Sequence, residues 1–346
     1  MMLIRNFFLL SALLFAIQVQ AYPGFRQITF SELNMAVWYP TSAEGIKESA
    51  GENPAFAGVT VIRDAAPLAG IHPLLVISHG YNGNWRSLSW IAAAMAAQGY
   101  IVAAPDHPGT TTFNQNPVEA KKLWRRPQDI ARVIDFVINS PEQFGEADSS
   151  RIAALGHSLG GWTVMSLAGA RFSPELFIQD CQQYSPRGDC NAVEKLGLNN
   201  LQSHEQLSAS RRDTRISAVV SLDLGFAPGF TAQSLHEINI PVLILAAQEG
   251  KLAELPAEQE SAWLADRIRT EWRQFEIIKG ATHFSFMQLC KPGAEILINE
   301  ASPGEGIICQ DGPGGKRVDI HQGLVEKIGS FLNSSLNYHL PAGEIR

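Results

Sequence analysis

The segment GHSLGG, Gly156 to Gly161, sets a serine between glycines at the spacing G-x-S-x-G. A serine hydroxyl attacks a carbonyl carbon only when a base takes its proton, because it is a weak nucleophile at neutral pH. Three fixed positions match by accident in roughly one chain in ten of this length, so the surroundings must decide. RIAALG before Ser158 reads as a buried strand, and SLGGWTVMSLAGA reads as a helix. A sharp strand-to-helix turn strains the backbone at Ser158 and lifts its hydroxyl above the sheet. Side chains at Gly156 and Gly160 would then collide with neighbouring backbone. The helix N-terminus leaves orphan N–H groups, and that of Leu159 is the first candidate donor to an oxyanion.

A nucleophile on such a turn takes its partners in the chain order serine, acid, histidine. His283, in EIIKGATHFSF, sits on the loop after an expected strand and is the candidate base. His204 lies in a polar insertion, His236 precedes a strand, and His321 and His339 flank or follow the last helix. His157 adjoins the serine but points away from it, and is assigned to packing. Two carboxylates end strands at the same edge, Asp223 after ISAVVSL and Glu249 after PVLILAAQ, and spacing alone does not choose between them. Asp106 precedes the serine and reads as a loop tie. The loop HGYNG, His79 to Gly83, offers the Tyr81 N–H as the second oxyanion donor, with Gly80 permitting close approach. Trp162 and Tyr81 are candidate walls of an acyl pocket. The chemistry requires no cofactor, and no CxxC or Cys/His cluster has zinc spacing, so no metal is expected.

These residues need a scaffold, and from Leu74 onward the chain repeats a short apolar run, a turn and an amphipathic stretch. LLVISHG, IVAAPDHPG, RIAALG, ISAVVSL, PVLILAA and EWRQFEIIKG read as strands. SLSWIAAAMAAQGY, PQDIARVIDFVINS, ESAWLADRIRT and HQGLVEKIGSFLNSSL read as helices. Alternating strands and helices imply an α/β fold with a mostly parallel central sheet covered on both faces. RQITF and MAVWYP have no helix between them and predict an antiparallel N-terminal edge. Residues 171–213 are polar and too long for an ordinary connection, so they read as a lid-like insertion. Lys291 to Val318 reads as a Gly/Pro-rich loop.

Met1 to Ala21 combines Arg5, the uncharged run Phe7 to Ile17 and the small-residue ending VQA, the pattern of a removed export signal. That run is shorter than the roughly 20 residues needed to span a bilayer. Residues 22–346 then form a single domain, either periplasmic or secreted. The net charge of −7 is spread without a basic run, which gives nucleic acid or an anionic membrane surface no electrostatic hold. A neutral small-molecule or lipid-like ester is the expected partner. Four cysteines allow three connectivities, and the local pairs Cys181 with Cys190 and Cys290 with Cys309 are favoured, each stapling one loop in an oxidising compartment.

The motifs MAVWYP, ISHGYNG, AAPDHPG, GHSLGGW, SLDLGF and GATHFSF together resemble the α/β-hydrolases, in the branch related to dienelactone hydrolase that includes the platelet-activating-factor acetylhydrolases. The resemblance runs from about Asn34 to Phe286. It implies a nucleophile Ser158, a base His283 and, because SLDLG matches the segment that bears the acid in the acetylhydrolases, an acid Asp223. Glu249 stays as the alternative. The expected function is that of an exported serine carboxylester hydrolase. A serine peptidase of the same fold and a non-catalytic binding protein on a hydrolase scaffold are the rival readings.

Overall fold

The computed structural model describes residues 22–184, 187–248 and 255–337; the expected export signal, Glu249 and His339 lie outside them. Ten strands form one sheet among the described residues. They are β1 Gly24–Phe30, β2 Leu33–Tyr39, β3 Lys47–Ala50, β4 Val59–Arg63, β5 Ile71–Ser78, β6 Ile101–Pro105, β7 Glu146–His157, β8 Ile216–Leu222, β9 Val242–Ala247 and β10 Arg273–Ile278. Their order across the sheet is β10-β9-β8-β7-β5-β6-β2-β1-β4-β3. Strands β5 to β10 are parallel neighbours, while β2 runs antiparallel to β6 and β1 antiparallel to β2.

The antiparallel edge is longer than MAVWYP and RQITF suggest, because β4 adds parallel to β1 and β3 adds antiparallel to β4. Strand β3 is exposed at three of its four positions, so it has no apolar alternation to announce it. In the centre both faces are buried and the alternation is complete. Leu74, Val76, Ile152, Ala154 and Val219 enter one core, while Leu75, Ile77, Ala153, Leu155 and Val220 enter the other.

Helices fill the two faces by the same logic. Arg125–Ile138 presents Ile130, Val133, Ile134 and Val137 on one stripe, beside the elbow helix Leu159–Ala168. Ser89–Ala97 and Arg317–Leu336 cover the opposite face with Ile91, Met95, Leu324, Ile328 and Phe331. Residues 171–213 carry the helices Pro174–Gln183 and Leu201–Ser208, capped by the side chains of Ser173 and Asn200. Phe172, Phe177, Leu196, Leu198 and Leu207 sink into the same core as the elbow helix, so this insertion is packed down on the body of the fold.

Two sequence expectations need correction. ESAWLADRIRT is helical only over Ser261–Ala265, and Glu260 is occupied in accepting the Ala227 N–H at 2.8 Å. The Gly/Pro-rich stretch after Lys291 contains a helix, Ala294–Ala301, entered through Gly293 at φ +81°. Both disulfides close locally, Cys181–Cys190 and Cys290–Cys309. No helix among the described residues is long and apolar enough to cross a membrane.

Candidate active site

From β5 the chain moves to β6 on one side, whereas from β7 it runs through β8, β9 and β10 on the other. The strand order therefore reverses between β5 and β7, and a crevice opens outside their carboxyl ends. Tyr81, Ser158, Asp223 and His283 all lie just beyond strand ends at this edge, after β5, β7, β8 and β10.

Ser158 takes φ +56° and ψ −122°, a conformation that side chains rarely adopt. The two glycines explain how it is reached. A Cβ at Gly156 would stand 2.0 Å from Gly160 O, and one at Gly160 would stand 1.9 Å from Ser78 O. Both obstacles are backbone, so neither can swing aside. Gly160→Ala is accordingly expected to destabilise the fold by about 3 kcal/mol or more, read as a fall in the urea midpoint at unchanged slope.

Asp223 also has a positive φ, +43°. Its Oδ1 accepts the Ala247 N–H at 2.7 Å, and its Oδ2 lies 2.7 Å from His283 Nδ1. The pair is buried, with Asp223 2% and His283 6% exposed. When its Nδ1–H donates a hydrogen bond to the carboxylate, His283 presents Nε2 as an acceptor. Ser158 and His283 share the wall of one cavity of about 40 Å³, together with Gly80, Tyr81, Phe284 and Met287. The Ser158 hydroxyl makes no hydrogen bond among the described residues; nucleophile–base contacts in unliganded sites are commonly long and tighten with substrate. The N–H groups of Tyr81 and Leu159 are likewise without partners among the described residues. A cleft of about 680 Å³ elsewhere, lined by Glu119, Lys122, Arg125, Asp129 and Arg132, contains none of these groups, and its charges pair with one another.

Trp162 does not line the cavity. It is 2% exposed and packs 5.6 Å from Phe172 and 6.4 Å from Phe230, so the aromatics that seat the insertion claim it for the core. Asp106 ties loops, accepting from Trp85 N at 2.7 Å and from Asn34 Nδ2 at 2.6 Å. His157 does more than fill space. Its Nε2 is 2.9 Å from the His283 carbonyl and its ring lies 4.6 Å from that of His283, which steadies the His283 ring from behind. Burial and the neighbouring His283 hold the His157 pKa well below the usual imidazole value, so this support is neutral.

Asp223 and His283 are each braced by residues in or beside a disulfide-closed segment. Asp189, next to Cys190, accepts the Phe226 N–H at 2.8 Å and pairs with the buried Arg187, which also reaches Glu260. That grips the loop following Asp223. Beyond Cys309, Gln310 O accepts from Thr282 Oγ1 at 2.8 Å and Asp311 Oδ1 accepts from Ser285 Oγ at 2.5 Å, on either side of His283. Nothing in the local sequence announces these supports, because a polar side chain carries no mark of a partner loop 26 to 37 residues away.

Comparison with known proteins agrees with this architecture. The family described as "Serine aminopeptidase, S33" matches residues 70–177, the stretch from the approach to β5 through the elbow helix. Cutinase 2 of Thermobifida cellulosilytica is 32% identical over 99 residues, 28% of this chain and 34% of that protein. A bis(hydroxyethyl) terephthalate hydrolase of Streptomyces coelicolor is 26% identical over 116 residues, 34% of each chain. The chain thus spans about a third of the length of the curated relatives it matches. A ferulic acid esterase from Streptomyces cinnamoneus superposes with a TM-score of 0.60 at 17% identity, covering 94% of this chain and 95% of that one. The chain has the α/β-hydrolase fold.

Proposed function

We propose that the chain is an exported serine carboxylester hydrolase, of the α/β-hydrolase branch related to dienelactone hydrolase and the platelet-activating-factor acetylhydrolases. The observation that carries the reading is the buried 2.7 Å contact with Asp223 made by His283, which lines the same cavity as Ser158. Ser158 Oγ attacks the ester carbonyl while His283 Nε2 takes its proton. The Tyr81 and Leu159 amides hold the oxyanion, and Asp223 stabilises the imidazolium. Collapse breaks the carbon–oxygen bond, and the alcohol leaves with the proton from His283. Water, deprotonated by the same base, then releases the carboxylic acid and frees Ser158.

The partial likeness to cutinases and to a terephthalate ester hydrolase supports ester chemistry. The two disulfides support export, since such bonds persist in oxidising compartments. A second reading, peptidase action through the same triad, is favoured by the description of the family that matches residues 70–177.

Two measurements separate these readings from each other and from a binding protein. A fluorophosphonate probe is expected to label the protein at Ser158, and absence of labelling defeats any serine-hydrolase reading. A panel of p-nitrophenyl esters should be run beside amino-acyl p-nitroanilides. The cavity of about 40 Å³ encloses little beyond the reacting carbonyl and a short acyl group, so the acetate is expected to turn over at least about tenfold faster than the octanoate. Anilide cleavage outpacing every ester selects the peptidase instead.

A further inference from the structure

Behind the Tyr81 amide lies a polar cluster that the reaction above leaves unused: Ser78, His79, His107, Arg126 and Asp129, none more than 2% exposed. Its hydrogen bonds fix one histidine tautomer. The His107 backbone N–H donates to His79 Nε2 at 3.0 Å, and a ring nitrogen that accepts carries no proton. The His79 proton is therefore on Nδ1, which donates to Gly80 O at 2.6 Å. Gly83 N–H donates to the same carbonyl at 3.1 Å.

Gly80 C=O and Tyr81 N–H belong to one planar trans peptide, so they point in opposite directions. A carbonyl held by His79 sets the direction of the Tyr81 N–H. Ser158 is close to this peptide, for a Cβ at Gly80 would fall 3.1 Å from Ser158 Cβ. The anchor of His79 is itself anchored. His107 Nδ1 is 3.0 Å from Asp129 Oδ2, its Nε2 is 3.0 Å from Ser78 Oγ, and Arg126 donates both to Ser78 Oγ and to the His79 carbonyl.

We propose that His79 is a positioning residue for the oxyanion, locking the Gly80–Tyr81 peptide with its N–H toward the developing charge through a relay that runs back by way of His107 to Asp129. This rests on the ester-hydrolase reading. Burial and the Arg126 guanidinium hold both histidines well below the usual imidazole pKa, which keeps each ring neutral and the donor pattern unchanged across the working pH range.

Two polar variants divide the two jobs of the ring. His79→Asn places an amide N–H near the Nδ1 position, whereas His79→Gln places its amide near Nε2, where it can still accept from His107 but offers nothing to Gly80 O. The readouts are kcat and KM for p-nitrophenyl acetate, and the preference for an aryl ester over its thionoester. Sulfur accepts hydrogen bonds poorly, so that preference reports oxyanion donation. Loss of folded protein scales both rates equally and leaves their ratio unchanged.

For His79→Gln, kcat is expected to fall about 100-fold with KM within about twofold, and the ester preference to shrink about tenfold. His79→Asn is expected to keep the preference within about threefold of the original protein. A His79→Gln protein with unaltered kcat and preference, or an Asn variant as impaired as the Gln variant, overturns the proposal while leaving the hydrolase reading intact. An original protein that turns over no ester overturns that reading, and this one with it.

Discussion

Ester turnover by Ser158→Ala is expected to fall by about 10⁵-fold or more, with the melting temperature within about 2 °C of the original. The size follows from what is lost and what stays. The hydroxyl makes no hydrogen bond among the described residues, so its removal strands no buried partner. The elbow is set by Gly156 and Gly160, which the substitution does not touch. The cavity, the two free amides and the His283–Asp223 pair all survive, and they alone give only a residual acceleration over water. Active-site titration beside steady-state kinetics checks the result; retention of even one per cent of turnover assigns the attack to another group.

Asp223→Asn is the second large effect, a loss of about 10⁴-fold in kcat with little change in KM. An asparagine can still accept the Ala247 N–H that now bonds to Asp223 Oδ1, so the loop beyond β8 keeps its anchor. Toward His283, however, the amide nitrogen donates where the carboxylate accepted. The imidazole answers by moving its proton to Nε2, and the atom that should receive the serine proton is then occupied. Glu249→Gln, at the carboxylate that spacing alone leaves open, is expected to stay within about threefold of the original. The opposite pattern, with only the Glu249 variant inactive, transfers the acid role to that residue.

The parts of the fold that repetition encodes were legible in advance. Five of the six parallel strands, β5 to β9, announced themselves as apolar runs because their central residues are buried on both faces, and the helix around Ile130 to Val137 showed its stripe. Strand β3 and the helix Ala294–Ala301 did not, the first because it is nearly all exposed and the second because Gly and Pro around it mask a short apolar pattern. At the site, the placement of Ser158 followed from glycine spacing, since backbone collision leaves no other residue possible. Spacing leaves two candidate acids because two strands each end in a carboxylate, Asp223 and Glu249. What brings Asp223 to His283 is the sheet order, β8 and β10 flanking β9, which no local pattern states. Trp162 illustrates the converse, for its neighbours Phe172 and Phe230 come from the insertion and from beyond β8, and only their convergence reveals that it faces the core.

The supports of Ser158, Asp223 and His283 differ in kind. The serine turn is made by the main chain and by two residues with no side chain, and it forms whenever β7 and its helix form. The carboxylate and the imidazole instead lean on segments closed by Cys181–Cys190 and Cys290–Cys309. Reduction of the two bonds is therefore expected to loosen Asp223 and His283 while leaving the Ser158 turn in place.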